Sequence, residues 1–259
     1  MRYPHGLFGW VDLTTTDVEG ARAFYTELFG WTSQDLPTPM GPAYTMFSKD
    51  EKLVAGMTPQ QPALAAAGVP SLWSSYVLVE DVDAVLATVE PSGGAVVMPA
   101  MDVMDQGRMA MVSDPSGAVV GLWQPEKHQG ADLFNAPGAL TWNELQSRDL
   151  ERATAFYAAV FGWRWEPAGD GYLVANLDAK QGEDKSNAGA MAMPAAAPAE
   201  APSSWMVYFA VEDCDESAAS AEHLGASVFL PAMQMGPGRF AGLVDPTGAM
   251  FLLGSFQAA

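Results

Sequence analysis

Residues 10–31, WVDLTTTDVEGARAFYTELFGW, return as residues 142–163, WNELQSRDLERATAFYAAVFGW, at an offset of 132. The match continues downstream: Trp73 with Trp205, Tyr76 with Tyr208, Val79-Glu80-Asp81 with Val211-Glu212-Asp213, and Pro99-Ala100-Met101 with Pro231-Ala232-Met233. One residue then drops out, and Gly107-Arg108 and Asp114-Pro115 match Gly238-Arg239 and Asp245-Pro246. So long a period is too large for a solenoid unit and suits a whole domain. The chain is a tandem duplication. Its 259 residues divide into a first domain at 5–125, a linker at 126–137 and a second domain at 138–257.

Composition narrows the class. With 49% hydrophobic and 17% charged residues the chain can build a core in each domain. A formal net charge of −19 repels phosphate backbones and anionic lipid, so neither nucleic acid nor membrane is an expected partner. A single cysteine, Cys214, excludes an intrachain disulfide, and its EDCDES setting disfavours a thiolate nucleophile. No run approaches the ~18 apolar residues of a membrane span, and the N-terminal MRYPHGLFGW lacks a signal-peptide core. A cytoplasmic location and a monomer or homodimer are the expectations.

Leu7 to Thr15 reads as a strand with Phe8, Trp10, Asp12 and Thr14 on one face. Thr16-x-x-Glu19 has the form of a capping box opening a helix through Phe29, with Ala21, Phe24, Tyr25 and Leu28 on one side and Gly30 as its stop. Residues 43–48 and 52–58 read as strands, and 58–71 as an Ala/Pro linker. The plan then repeats: a strand at 74–79, a helix at 81–89, and strands at 95–98, 107–113 and 118–123, the last two joined by the turn Asp114-Pro115-Ser116-Gly117. The second domain has its own linker at 194–204, a turn at Asp245-Pro246-Thr247-Gly248 and a polar hairpin end at 179–187. Each domain thus holds two βαβββ units, four in the chain.

A strand, then D-x-x-x-[AS]-x-x-FY-x-x-[LV]-[FL]-G-[WF], a central strand ending V-x-D, and DP-x-G before a last strand together resemble the vicinal oxygen chelate superfamily of glyoxalases, bleomycin-resistance proteins and extradiol dioxygenases. The resemblance covers nearly the whole chain, twice. It implies an α+β fold of two tandem glyoxalase-like domains, each a pair of βαβββ modules forming a curled, cup-shaped mixed sheet with a ligand inside. It also implies metal ligands at four strand positions per cup. Carried over residue by residue, these fall on Trp10, near Gly56, on Ser74 and on Gly121 in the first repeat. In the second they fall on Trp142, near Gly189 to Met191, on Met206 and on Leu252. None is His, Glu or Gln, and indole, thioether or an absent side chain cannot supply the oxygen and nitrogen donors a divalent metal needs. Of the three histidines, His5 is set to face away from Trp10, His223 lies on a helix and His128 in the linker. No metal and no other cofactor is expected.

The cup residues that remain are Trp10, Ser74, Tyr76, Arg108 and Trp123 in the first repeat, and Trp142, Met206, Tyr208 and Arg239 in the second. Asp12 and Glu144 join them two residues after the first-strand tryptophans. An aromatic and Met-rich lining with few polar groups suits a flat, partly apolar small molecule. A buried carboxylate needs a partner, so Asp12 and Glu144 either pair with Arg108 and Arg239 or act as general bases with raised pKa. No G-x-S-x-G elbow, Cys–His pair, G-x-G-x-x-G or P-loop is present. Two functions stay open: metal-independent binding of a planar molecule, as in sequestration or carriage, and a lyase, isomerase or hydroxylase-type enzyme using Asp12 or Glu144 on a small carbonyl or polyketide-like substrate. A role as a protein-interaction scaffold has no sequence feature behind it.

Overall fold

The computed structural model describes residues 2–38, 41–236 and 238–256; the expected domain end at residue 257 lies outside them. Four βαβββ modules follow one another along the chain. The first is β1 (Leu7–Thr15), α1 (Val18–Phe29), β2 (Thr32–Thr38), β3 (Gly41–Lys49) and β4 (Lys52–Pro59). A short helix, α2 (Pro62–Ala66), leads to the second: β5 (Leu72–Leu78), α3 (Val82–Val89), β6 (Ala95–Val103), β7 (Gly107–Ser113) and β8 (Val119–Pro125). The third runs β9 (Leu140–Ser147), α4 (Leu150–Phe161), β10 (Arg164–Pro167), β11 (Leu173–Asn176) and β12 (Ser186–Ala192). The fourth runs β13 (Ser204–Ala210), α5 (Cys214–His223), β14 (Ser227–Met235), β15 (Gly238–Val244) and β16 (Met250–Phe256).

Each repeat supplies one mixed eight-stranded sheet, in the orders β2-β3-β4-β1-β5-β8-β7-β6 and β10-β11-β12-β9-β13-β16-β15-β14. Within every module the first strand pairs in parallel with the last, as Asp12 with Gly56, Tyr76 with Gly121, Glu144 with Gly189 and Tyr208 with Leu252. The helix supplies the crossover that a parallel pair requires. Two details depart from the sequence reading. The α1 cap is Asp17, whose side chain accepts from the Gly20 N–H at 3.0 Å, since Asp17 is the last residue with extended backbone before the helix. Phe8 leaves the face it was assigned and packs against Trp163 and Trp205.

The cores do not follow the repeats. The chain forms two compact units: one of Met1–Trp10, Ser75–Gly130 and Trp142–Met206, the other of Val11–Ser74, Ala131–Thr141 and Val207–Ala259. In the first unit α3 packs with α4, so a helix of each repeat contributes to one core; in the second, α1 packs with α5. The duplicated motif residues hold these cores. In the second unit the Trp73 indole N–H donates to the Tyr25 hydroxyl at 2.8 Å, and that hydroxyl donates to Asp245 Oδ2 at 2.8 Å. Asp245 Oδ1 meanwhile accepts from the Thr247 and Ala249 backbone N–H groups, fixing the DP-x-G turn. The first unit repeats the arrangement with Trp205 donating to Tyr157 at 2.7 Å beside Asp114. Burial, then the neighbouring carboxylate, pushes both phenols well above the ordinary tyrosine range. The Phe-Tyr and DP-x-G motifs are therefore structural, and each joins one repeat to the other within a unit.

Candidate functional site

Period-two alternation gives the strands that keep it a helix-covered face and a helix-free face. On β7, Ala110 and Val112 lie in the first unit's core, which leaves Met109 and Met111 on the helix-free face opposite Trp123 and Gly121. On β15, Ala241 and Leu243 are core, leaving Phe240 and Gly242. Arg108 and Arg239 share the parity of the core residues and so belong to the helix side. Arg108 pairs with Asp83 at 3.1 Å, in the first turn of α3, and with Asp102 at 2.7 Å. Arg239 Nη2 donates to Asp215 Oδ1 at 2.8 Å, in the first turn of α5. Their expected pairing with Asp12 and Glu144 is thus corrected: both arginines anchor helix N-termini in partly exposed ion pairs.

The carboxylates meet tyrosines instead. In the second unit, β1 sets Asp12 directly across from Gly56 on β4, and Met46 on β3 pairs with that same glycine. Tyr44, two residues earlier on β3, brings its hydroxyl to Asp12 Oδ2 at 3.0 Å. Gly56 makes room for it: a β-carbon there would stand 1.7 Å from the Tyr44 oxygen. Asp12 Oδ1 is closed to solvent and has no hydrogen-bond partner. Loss of water pushes the Asp12 carboxyl up to about 7, against the smaller opposing effect of the Tyr44 hydrogen bond. Leu36, which pairs with Tyr44 across the β2–β3 ladder, and Met46 flank it on the same face, both partly exposed.

The first unit holds the counterpart. Glu144 is 7% exposed and lies across from Gly189, where a β-carbon would stand 1.8 Å from the Tyr172 hydroxyl. The Trp142 indole donates to the Tyr172 hydroxyl at 2.9 Å, Tyr172 is hydrogen-bonded to Glu144, and the Gln146 amide donates to Glu144 Oε1 at 3.1 Å. Burial and the Glu144 charge push the Tyr172 phenol up.

The other sequence candidates distribute as follows. In the first unit Trp10 is buried edge-on to the His128 ring, with centroids 4.3 Å apart, and the Trp123 indole donates to the His128 carbonyl at 2.9 Å. Tyr76 lies over Gly121, where a β-carbon would come within 2.2 Å of its ring. Met206 receives a long contact from the Ser204 hydroxyl at 3.9 Å. In the second unit Ser74 is partly buried, and Tyr208 stands edge-on to Phe240 at 5.8 Å. Sequence reasoning missed Tyr44, Tyr172, His128, Met109, Met111 and Phe240; strand parity alone would have placed the last three. Cys214 is buried, and burial followed by Asp215 pushes its thiol up to about 11, which keeps it out of nucleophilic chemistry. His5 accepts from the Glu80 backbone N–H through Nδ1, and His223 is exposed on α5.

The donor set does not fit the metal that the resemblance implies. Its positions hold indole, hydroxymethyl, thioether, aliphatic or glycine, and three of the glycines, Gly56, Gly121 and Gly189, have tyrosine where a ligand's β-carbon would start. Among the described residues no group of three or more His, Cys, Asp or Glu is gathered to hold a metal ion. Among the described residues no helix is long and apolar enough to cross a membrane.

Comparisons with known proteins agree on the family. Residues 7–122 match the model of the glyoxalase/bleomycin resistance protein/dioxygenase superfamily, and residues 143–254 match that of a glyoxalase-like domain. The chain is 44% identical over 256 residues to the Mycobacterium tuberculosis protein named "Putative glyoxylase CFP32", covering 96% of this chain and 94% of that one. It is 35% identical over 260 residues to anthracycline biosynthesis protein DnrV of Streptomyces peucetius, covering 96% and 93%. Solved structures share the fold at low identity. The Mn(II)-bound glyoxalase from Novosphingobium aromaticivorans aligns with a TM-score of 0.66 at 14% identity, over 98% of this chain and 83% of that one. The 2,3-dioxygenase LapB from Pseudomonas sp. KL28 also scores 0.66 at 14% identity, over 97% and 93%.

Proposed function

The chain belongs to the glyoxalase/bleomycin resistance protein/dioxygenase superfamily, and within it we propose a metal-independent site for a small, planar, partly aromatic molecule, serving sequestration or carriage. The observation that carries this reading is the donor set. At the positions where the family resemblance implies metal ligands, this chain has Trp, Ser, Met, Leu and glycines overlaid by tyrosine. Exchanging oxygen and nitrogen donors for aromatic and thioether surface trades coordination for stacking and apolar contact. Relatives named for anthracycline biosynthesis support a fused polycycle as the ligand class.

The test is a titration of chelator-treated protein with an anthracycline, followed by tryptophan fluorescence. Binding in the ~μM range that chelator leaves unchanged is the expected result. Binding that appears only after manganese, zinc, nickel or iron(II) is added, with metal bound stoichiometrically, would overturn the reading.

One observation favours a second reading. A carboxyl held near neutral pH in a dry setting is suited to general acid–base work, and Asp12 is such a group. As an enzyme, the chain would use Asp12 to move a proton on a small carbonyl or polyketide-like substrate. Asp12→Asn would then lower turnover by about 100-fold while ligand affinity held; equal turnover in the variant would remove this reading.

A further inference from the structure

We propose that Asp12 and Tyr44 form the polar anchor of the ligand site and take a neutral hydroxyl group on a planar ligand, while Glu144 and Tyr172 serve structure only. This inference rests on the small-molecule reading above and assigns its orientation-setting contact. Three observations support it.

First, the site is built for its tyrosine. Any side chain at position 56 would collide with the Tyr44 hydroxyl, and Gly56 lies directly opposite Asp12 in the ladder. Second, Asp12 is half-satisfied: Oδ2 accepts from Tyr44, while Oδ1 is buried and accepts from nothing. A buried polar atom left this way is destabilising, and a ligand hydroxyl would recover that loss on binding. Third, the duplicated position closes the same gap from within. Gln146 donates to Glu144 Oε1, whereas the residue at the matching position in the first repeat, Thr14, cannot reach as an amide would. The second carboxylate has a donor of its own where the first lacks one.

The surroundings select the ligand group. Leu36, Met46 and the Tyr44 ring give apolar walls on one face of β2 and β3. An ammonium or an anion stripped of water between such walls is penalised heavily, and a hydroxyl is penalised least. Tyr44 and Met46, which flank Asp12, are themselves partly exposed, so the site has an open side.

The matched probes are 2-naphthol and naphthalene, titrated against the full chain by equilibrium dialysis. The wild-type protein is expected to bind the naphthol at least about 10-fold more tightly than naphthalene. Asp12→Leu erases that preference and leaves naphthalene affinity unchanged; Glu144→Gln preserves it. Gly56→Ala, which displaces the Tyr44 hydroxyl without altering Asp12, reduces the preference and serves should Asp12→Leu fail to fold. A preference that survives both Asp12→Leu and Gly56→Ala, or that Glu144→Gln abolishes, overturns the anchor. Equal wild-type binding of both probes overturns the anchor and leaves the planar-ligand reading standing. Binding of neither overturns both.

Discussion

The two repeats carry the same three parts, a glycine, a tyrosine and a carboxylate, yet leave the carboxylates in different states. Glu144 sits in a closed set in which Trp142 donates to Tyr172, Tyr172 bonds Glu144, and Gln146 donates to Glu144. Asp12 has Tyr44 alone, and its second oxygen faces no donor. Burial by itself therefore does not decide what a carboxylate does; the donors within reach do. Where they are complete the group is part of the framework, and where one is withheld a carboxyl is kept near neutral pKa at a stability cost.

The largest effect that would break this contrast is on pH-dependent stability. Folding holds Asp12 near pKa 7 against 3.8 for the ordinary group, so between these values the folded chain keeps a proton that the unfolded chain has released. Stability from this residue is greatest below about pH 4 and falls as pH rises towards 7, by up to about 4 kcal/mol in all. Urea unfolding across pH 4–8 should show the decline, and Asp12→Asn should flatten it. An unchanged slope in Asp12→Asn would place the titration elsewhere.

Next in size is the tyrosine pair. Tyr172→Phe strands both the Trp142 indole and a Glu144 oxygen, and is expected to cost about 2 kcal/mol by chemical denaturation. Tyr44→Phe removes one hydrogen bond from an already incomplete set, should cost about half as much, and raises the Asp12 pKa further because the interaction that lowers it is gone. A larger loss for Tyr44→Phe would reverse the assignment of which site is structural.

The contrast can also be sharpened by transplant. Thr14→Gln copies Gln146 into the first repeat and should stabilise the chain by about 1 kcal/mol above pH 7 while lowering the Asp12 pKa, read by NMR titration of its carboxyl carbon. Smallest of all, Arg108→Met removes a partly exposed pair with Asp83 and Asp102 and should change stability by less than about 0.5 kcal/mol, with probe binding untouched. A binding loss there would return Arg108 to the site.

Much of this was legible in the residues. The offset repeat, the Phe-Tyr and DP-x-G motifs and the glycine stops led to four βαβββ modules, and Trp10, Asp12, Trp142 and Glu144 to strands whose alternation sets their faces. Strand β2, TSQDLPT, was missed because an edge strand with few apolar residues carries no alternation to read. Arg108 and Arg239 share the parity of the core residues Ala110 and Val112, or Ala241 and Leu243, so their helix-side placement was countable in the sequence although it does not fit a cup position. Tyr44 and Tyr172 left no such trace: they sit at different offsets in their repeats, and only the shape left by Gly56 and Gly189 explains them.

By itself the sequence determined the duplicated module and the residue types standing at the positions the resemblance marks for metal ligands, because these depend only on residue type and local period. Only the tertiary structure decided which groups meet. Each hydrophobic core takes a helix from either repeat, with Tyr25 on the Asp245 turn and Tyr157 beside the Asp114 turn, and these pairs lie 220 and 43 positions apart. The partners of Asp12 and Glu144 follow from the same cause. Hydrogen bonds and desolvation act through distance in space, and strand register, not position along the chain, brings Tyr44 to one carboxylate and a complete set of donors to the other.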